Sequence, residues 1–252
     1  RILGINLGDL TEGAISLDCV EDVFGLPNAT YIGDQPSGWV DPVQPPQTAA
    51  YRRLQEATYW DAARNLKQSD FDYLTNTSAF LKYIIGEPST TAINFEFWVR
   101  PYGGAYTQGE DGNFTPHGAI TSSITQIQTL ITINGIKGDT DSISIGLYAI
   151  IEDEIVRVDA FNALTGIMTI GRGCLDTVPK SHLVGARLYF ADSFQTIDTT
   201  EYSTSETLYA KALTRTGQGI LPISSATEDS IALVGRFAKP YPPGNFRING
   251  TY

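Results

Sequence analysis

The chain has 252 residues, enough to bury a sizeable core in one large domain or two to three small ones. Hydrophobic residues at 42% and aromatics at 11% exclude a disordered chain, while Gly 24, Pro 13 and Tyr 13 against a single Met favour strands and turns over long helices. A formal net charge of −11 excludes a protein built to grip a phosphate backbone, because that affinity comes from Lys and Arg displacing counterions, and no run approaches the roughly 18 apolar residues that cross a bilayer.

Residues 1–7 and 14–21 are strand candidates joined by a polar loop with Gly8 and Gly13 at its ends, which predicts a hairpin. From 27 to 46 the sequence turns to Gly, Pro, Ser, Asp and Gln around Tyr31 and Trp39. In so long a connection the two rings either pin the loop to the body or anchor a neighbouring subunit. Thr48 is placed to cap a helix running to about Leu66. Ser69 with Asp72 three residues on has the form of a capping box for a second helix, with Phe71, Leu74, Phe80, Leu81, Ile84 and Ile85 as its buried stripe, interrupted at 75–77 and stopped by Gly86 and Pro88.

Ile93 to Arg100 alternates apolar and polar residues and predicts a half-buried strand. Residues 124–136 give another apolar alternation, ending at Asn134-Gly135, a hairpin signal. Residues 148–151, 155–161, 167–170 and 186–190 are four short runs of β-branched and aromatic residues parted by acidic or glycine-containing turns, the rhythm of an antiparallel meander. Between the third and fourth lies a loop carrying Gly171, Arg172, Gly173, Thr177, Pro179 and His182, too rich in breakers to be strand, which we read as a shaped connection closing a small β-barrel. Residues 207–215 and 230–237 are two further strands, and 239–244 is a proline-stiffened spacer.

The expected fold is therefore mainly β with a small helical segment, an α+β chain of antiparallel sheets with an inserted small β-barrel. Its parts are a hairpin at 1–26, a loop and helical segment at 27–90, a strand at 91–114 returning to the first sheet, the barrel at 115–195, strands at 196–238 returning to the first sheet, and a linker opening a further domain at 239–252. Arg1 as first residue, Met168 as sole methionine and a strand at 246–248 whose Asn249-Gly250 turn pair is followed by only two residues lead us to expect an interior piece of a longer polypeptide.

Catalytic chemistry finds little footing. His117 and His182 lack a nucleophile elbow, and Cys174 with His182 is the one thiol and imidazole pair worth considering; a thiol between strands and a histidine bonded to its own loop is the structural alternative. Cys19 and Cys174 show no metal or redox spacing. Glu96, Glu152, Asp153, Glu154 and Asp159 are the carboxylates available for glycoside hydrolysis, but the run 152–154 reads as a solvated hairpin turn and Glu96 as facing solvent or an arginine. Asp139 and Asp141 lack the other oxygen ligands of a calcium loop. No helix follows Gly171-Arg172-Gly173 to make a phosphate cradle, and Arg172 is expected to pair with a nearby carboxylate such as Asp176. No catalytic residue, cofactor or metal ligand is expected.

The succession DEIVRVD, TGIMTIGRG, DTVPKSH and GARLYF within 147–190 resembles the corresponding stretch of tail proteins of tailed bacteriophages, the large hub or tail-tip proteins related to those of gene transfer agents. The likeness extends to VEDVFGLP at 20–27, NFEFWVR at 94–100, LTRTGQGILP at 213–222 and RFAKPYPPGNFRING at 236–250, and so covers most of the chain in order. It implies a non-catalytic virion part, assembled in the bacterial host cytoplasm, whose hairpin at 1–26 belongs to a hub-type β domain and whose end at 239–252 opens a fibronectin type III-like domain. It also implies a homotrimer contacting other tail proteins and a host-surface receptor, with Tyr31 and Trp39 as candidate interface residues. Two other readings stand beside it. One is a glycan-binding adhesin, which coplanar exposed aromatic rings would favour; the other is an envelope-polymer hydrolase resting on Glu96 or Glu154.

Overall fold

The computed structural model describes residues 2–6, 16–19, 44–192 and 196–239. Strands β1 (Ile2–Asn6) and β2 (Ser16–Cys19) form an antiparallel two-stranded sheet, the expected hairpin, in a unit spanning 1–41 that is compact by itself. The positions of Tyr31 and Trp39, the 239–252 linker beyond Lys239 and the Asn249-Gly250 pair lie outside the described residues.

In the second unit, β3 (Arg52–Glu56), β4 (Ser78–Ile85) and β13 (Thr196–Ser203) form a three-stranded antiparallel sheet with β4 in the middle. A second antiparallel sheet contains β5 (Ala92–Pro101), β6 (Thr107–Gly112), β14 (Thr207–Thr216), β15 (Gly219–Ile220) and β16 (Glu228–Ala232). Leu81, Tyr83 and Ile85 of the first sheet pack against Phe95, Phe97, Val99, Leu208 and Ala210 of the second, so the two sheets enclose one core as a sandwich. Ile93 to Arg100 is a strand as expected, but 91–114 and 196–238 pair with one another and with β4; among the described residues β1 and β2 pair only with each other.

Between β6 and β13 the chain builds a closed six-stranded barrel in the order β10-β11-β8-β7-β12-β9. Its strands are β7 (His117–Ile120), β8 (Leu130–Lys137), β9 (Tyr148–Ile151), β10 (Glu154–Phe161), β11 (Ile167–Gly171) and β12 (Arg187–Tyr189). Ile120, Ile131, Ile133, Ile151, Val156, Val158, Met168 and Ile170 fill the inside. Three of the four expected runs are consecutive antiparallel neighbours; the fourth, β12, instead pairs with β7 and β9 and closes the ring. Closure removes the free edges that an open meander would leave.

The helical expectations are corrected. Thr48 caps no helix: its hydroxyl donates to the Ser225 carbonyl at 3.2 Å, and the chain enters β3. The helix begins later, as α1 (Tyr59–Asn65), with Thr58 and Asp61 forming the reciprocal capping box. Of the second helix only one turn, α2 (Gln68–Phe71), exists, and Ser78 to Ile85 is strand β4. All eight β4 residues are buried, because one face meets the sandwich core while Phe80 packs under α1 and Ile84 under the barrel. A strand covered on both sides carries no alternation. The Asn134-Gly135 pair is likewise no hairpin turn: it lies inside β8, where the register shifts between His117 and Ala119 and Gly135 adopts φ 57°, a bulge with an extra residue. The run at 230–237 ends early as β16 and is followed by a 3-10 turn at Arg236–Ala238.

Candidate functional site

The loop singled out by its breakers folds over the mouth of the barrel around Glu154, the first residue of β10. Glu154 is fully buried and not part of a solvated turn, which corrects that expectation. Its Oε1 accepts from Arg172 Nε at 2.8 Å and from the Gly173 amide at 2.9 Å. Its Oε2 accepts from Arg172 Nη2 at 2.8 Å and from the Lys180 amide at 2.9 Å, and lies 2.9 Å from His182 Nε2. Burial pushes this carboxyl up, but Arg172, the Lys180 amide, His182 and the Gly173 amide outweigh it and bring it down to about 2. The carboxylate is thus an anchor to which the loop is tied from four sides.

Arg172 spends all five of its donors here. Beyond the forked pair with Glu154 it donates to the carbonyls of Thr125 at 2.6 Å and Gln128 at 2.9 Å, and to that of Lys180. Asp176, its expected partner, is taken instead by Arg236 through two contacts of 2.7 and 2.9 Å. The reason is reach: Asp176 lies beyond the Gly173 turn on the face toward the 3-10 turn, whereas Glu154 sits beneath it.

The other loop residues fall into place around this pair. Gly173 adopts φ 57°, and a Cβ there would meet Pro179 Cδ at 2.4 Å, so glycine is required both by conformation and by space. Gly171 packs against Arg157, its carbonyl accepting the Cys174 thiol at 3.6 Å. Thr177 Oγ1 accepts from the Ile155 amide at 3.0 Å and donates to the Cys174 carbonyl at 2.7 Å, stitching the loop to β10. His182 Nδ1 lies 2.8 Å from Glu152 Oε2, and its backbone pairs with Ile124. Cys174 and His182 therefore engage different partners, and burial pushes the half-buried thiol up, away from the nucleophilic thiolate. Glu154 was read from the sequence as a turn residue or a hydrolase carboxylate, and its part as the buried centre of the cluster escaped because it sits in an acidic triplet. The signal that marks it is its place two residues before the Val156 and Val158 alternation that enters the barrel.

A second buried network joins barrel to sandwich. Lys82 Nζ on β4 lies 2.7 Å from Asp61 Oδ2, both side chains fully buried, while Tyr148 of β9 donates to Asp61 Oδ1 at 2.6 Å and the Thr58 amide to Oδ2 at 2.9 Å. Burial pushes the Asp61 carboxyl up, yet Lys82, Tyr148 and Thr58 hold it well below the usual carboxylate range. Apolar contacts surround it: Ile84 of β4 packs with Tyr148, Ile150, Ile155 and Tyr189 of the barrel.

The remaining candidates are also engaged. Glu96 is buried and faces an arginine, Arg215, at 2.8 Å and the Trp98 indole at 2.9 Å. Asp139 accepts from the Asp141 amide at 3.1 Å and from Ser142, closing its own turn. No group of three or more His, Cys, Asp or Glu among the described residues is arranged to hold a metal ion. On the outer face of the second sheet, Arg100 stacks 4.1 Å over the Tyr209 ring, and Tyr102 and Tyr209 are tilted by 35°, so these rings form a cation and ring ladder, not a coplanar platform. No helix among the described residues is long and apolar enough to cross a membrane. No protein-family model matches the chain, and no curated protein matches it.

Proposed function

We propose that this chain is a structural segment of a tailed-bacteriophage tail hub or tail tip, a non-catalytic virion part assembled in the bacterial host cytoplasm. In this reading it acts in tail assembly and in the apparatus of host attachment or genome delivery. Its partners are other tail proteins, copies of itself in a homotrimer and a host-surface receptor, and it makes no direct contact with nucleic acid. The sequence resemblance supplies the family. The observation that carries the non-catalytic part is the saturation of Glu154: the one carboxylate buried in the candidate site has its oxygens filled by Arg172, two backbone amides and His182, leaving no face toward a substrate. A general acid or nucleophile needs an open approach and a proton affinity near its working pH, and this carboxyl is held at about 2. A mechanical part needs the opposite, polar groups consumed in holding loops still.

The test is gold-labelled antibody raised against this chain, applied to purified phage particles and viewed by negative-stain electron microscopy. Label confined to the tail tip is the expected result. Antigen free in the supernatant with no label on any particle overturns the reading.

A further inference from the structure

His117 is the first residue of β7, where the barrel leaves the sandwich, and it is fully buried. Its ring lies between elements of both bodies. Tyr51, just before β3, has its ring centroid 5.0 Å away, and Tyr189 of β12 lies 5.9 Å away on the barrel side. Gly86, just after β4, is pressed so closely to the ring that an added Cβ would fall 2.6 Å from His117 Cε1. Around the ring, one backbone bond joins the two bodies, the Thr115 amide to the Ile85 carbonyl at 2.7 Å; beside it the Gly86 amide to the Tyr51 carbonyl at 2.8 Å continues the β3–β4 pairing and the Phe190 amide to the Pro116 carbonyl at 2.9 Å continues the β7–β12 pairing.

The ring's own hydrogen bonding fixes its state. Nδ1 lies 3.3 Å from the Thr115 carbonyl, which only accepts, so the neutral ring carries its proton there. Nε2 is then a bare lone pair, and it has no partner among the described residues. The charged groups that face the ring are cations: Arg187 of β12, whose guanidinium lies 3.7 Å over the Tyr51 ring, and Lys137 of β8, the register partner of His117. Glu87, after β4, lies beside Lys137, and Tyr51 and Tyr189 complete the surroundings. A proton added to Nε2 creates a buried cation with no acceptor for its new N–H, beside two positive charges.

We propose that His117 is a proton-operated latch: neutral, it seals the barrel onto the sandwich, and protonated on Nε2 it opens that seam while the barrel itself stays closed. Burial, with Arg187 and Lys137 adding to it against the Thr115 carbonyl, lowers the proton affinity of the ring from its ordinary value of 6.5. Above that value both the sealed and the opened states hold a neutral ring, and the seam has its full stability. As pH falls below it, the opened state takes up a proton that the sealed state resists, so the seam weakens with acidification. The barrel interior, built from Ile131, Ile133, Val156, Val158, Met168 and Ile170, does not include this ring. Carboxylates nearby do not mimic the effect: Asp61 and Glu154 are both held far lower, while burial pushes Asp192 and Glu87 up, so that acidification favours the sealed state at those two.

Backbone hydrogen exchange on the intact protein, corrected for intrinsic rate, tests this at about pH 7.5 and about pH 5, either side of the ordinary histidine value. The Thr115 amide is expected to exchange faster at the lower pH, by up to about thirtyfold, the ceiling set by the roughly 1.5 units between the ordinary histidine value and pH 5. The Val158 and Ile170 amides, bonded within the barrel to the Leu147 and Thr129 carbonyls, are expected to change less than about twofold, which corresponds to less than half a kilocalorie. In His117→Phe the Thr115 amide should lose its response. Equal acceleration of the Thr115 amide and the barrel amides, or a response that survives in His117→Phe, overturns the proposal. Should that variant fail to fold, the imidazole Cε1 proton of His117 is titrated by NMR in the unaltered protein, and a midpoint at or above 6.5 overturns it.

Discussion

At the scale of single residues, Glu154 shows how a carboxylate becomes structural. Replacing it by Gln keeps the shape but removes the charge facing Arg172 and puts amide hydrogens against either the Gly173 or the Lys180 N–H group, whichever way the amide is turned. Breaking a buried pair on one side costs about 3–5 kcal/mol, and we expect Glu154→Gln to lower the unfolding free energy by that order in a urea titration followed by circular dichroism. The acid response follows with a definite sign. The carboxyl titrates at about 2 when folded against an ordinary 4.5, so its contribution is complete above 4.5 and lost as pH falls from there to about 2; the variant should lack that part of the acid slope. Sequence reading found the ligands of this anchor, Arg172, Gly173 and His182, but took Glu154 for a turn residue or a hydrolase carboxylate and missed its part as their anchor. Turn chemistry is written locally in glycine and proline, whereas the burial of a carboxylate depends on what folds over it.

At the scale of elements, two glycines with the same backbone angle separate conformation from space. Gly135 in the β8 bulge and Gly173 in the barrel-mouth loop both have φ 57°, but a Cβ on the first meets nothing within 4 Å while on the second it meets Pro179 at 2.4 Å. Gly135→Ala should cost about 1–2 kcal/mol from the left-handed angle alone, and Gly173→Ala about 1–3 kcal/mol more from overpacking, read as the difference between the two denaturation midpoints. Element types were legible where apolar and polar residues alternate, as in β5, or where turn residues bound a short β-branched run, as in β9 to β11, and these appeared at nearly their observed bounds. They were illegible in β4, whose eight buried residues carry apolar side chains toward both neighbours and so match a helix stripe as well as a strand. For α1 the signal was present, Thr58 three residues before Asp61, but the preceding Arg52 to Glu56 run drew the helix start forward into what is a strand.

For the molecule as a whole, the seam decides whether residues 44–239 behave as one body. Lys82, Asp61 and Tyr148 bridge it with charge and hydrogen bonds, and Ile84 with Ile150, Ile155 and Tyr189 bridges it with apolar contact. We expect one calorimetric transition at neutral pH with equal calorimetric and van't Hoff enthalpies. Lys82→Met leaves the Asp61 carboxylate buried without its cation, costs about 3–5 kcal/mol, and should split or broaden the transition as sandwich and barrel melt apart. The inserted barrel was visible in the sequence as a rhythm of short strands; the seam was not, because its members come from four separate stretches of chain.

The insertion also bears on the order of folding. Strand β14 must find β5 across a separation of more than a hundred residues, with Ala212 opposite Phe97. Left as a flexible loop, the intervening segment would impose a large closure entropy before that pairing returned anything. The barrel removes the obstacle in advance: its first and last strands are neighbours, with His117 opposite Tyr189, so once its local hairpins have zipped, the two ends of the insertion stand about 5 Å apart. The barrel then works as a non-covalent staple, shortening the tether so that the second sheet can assemble as though its strands were joined by a tight turn.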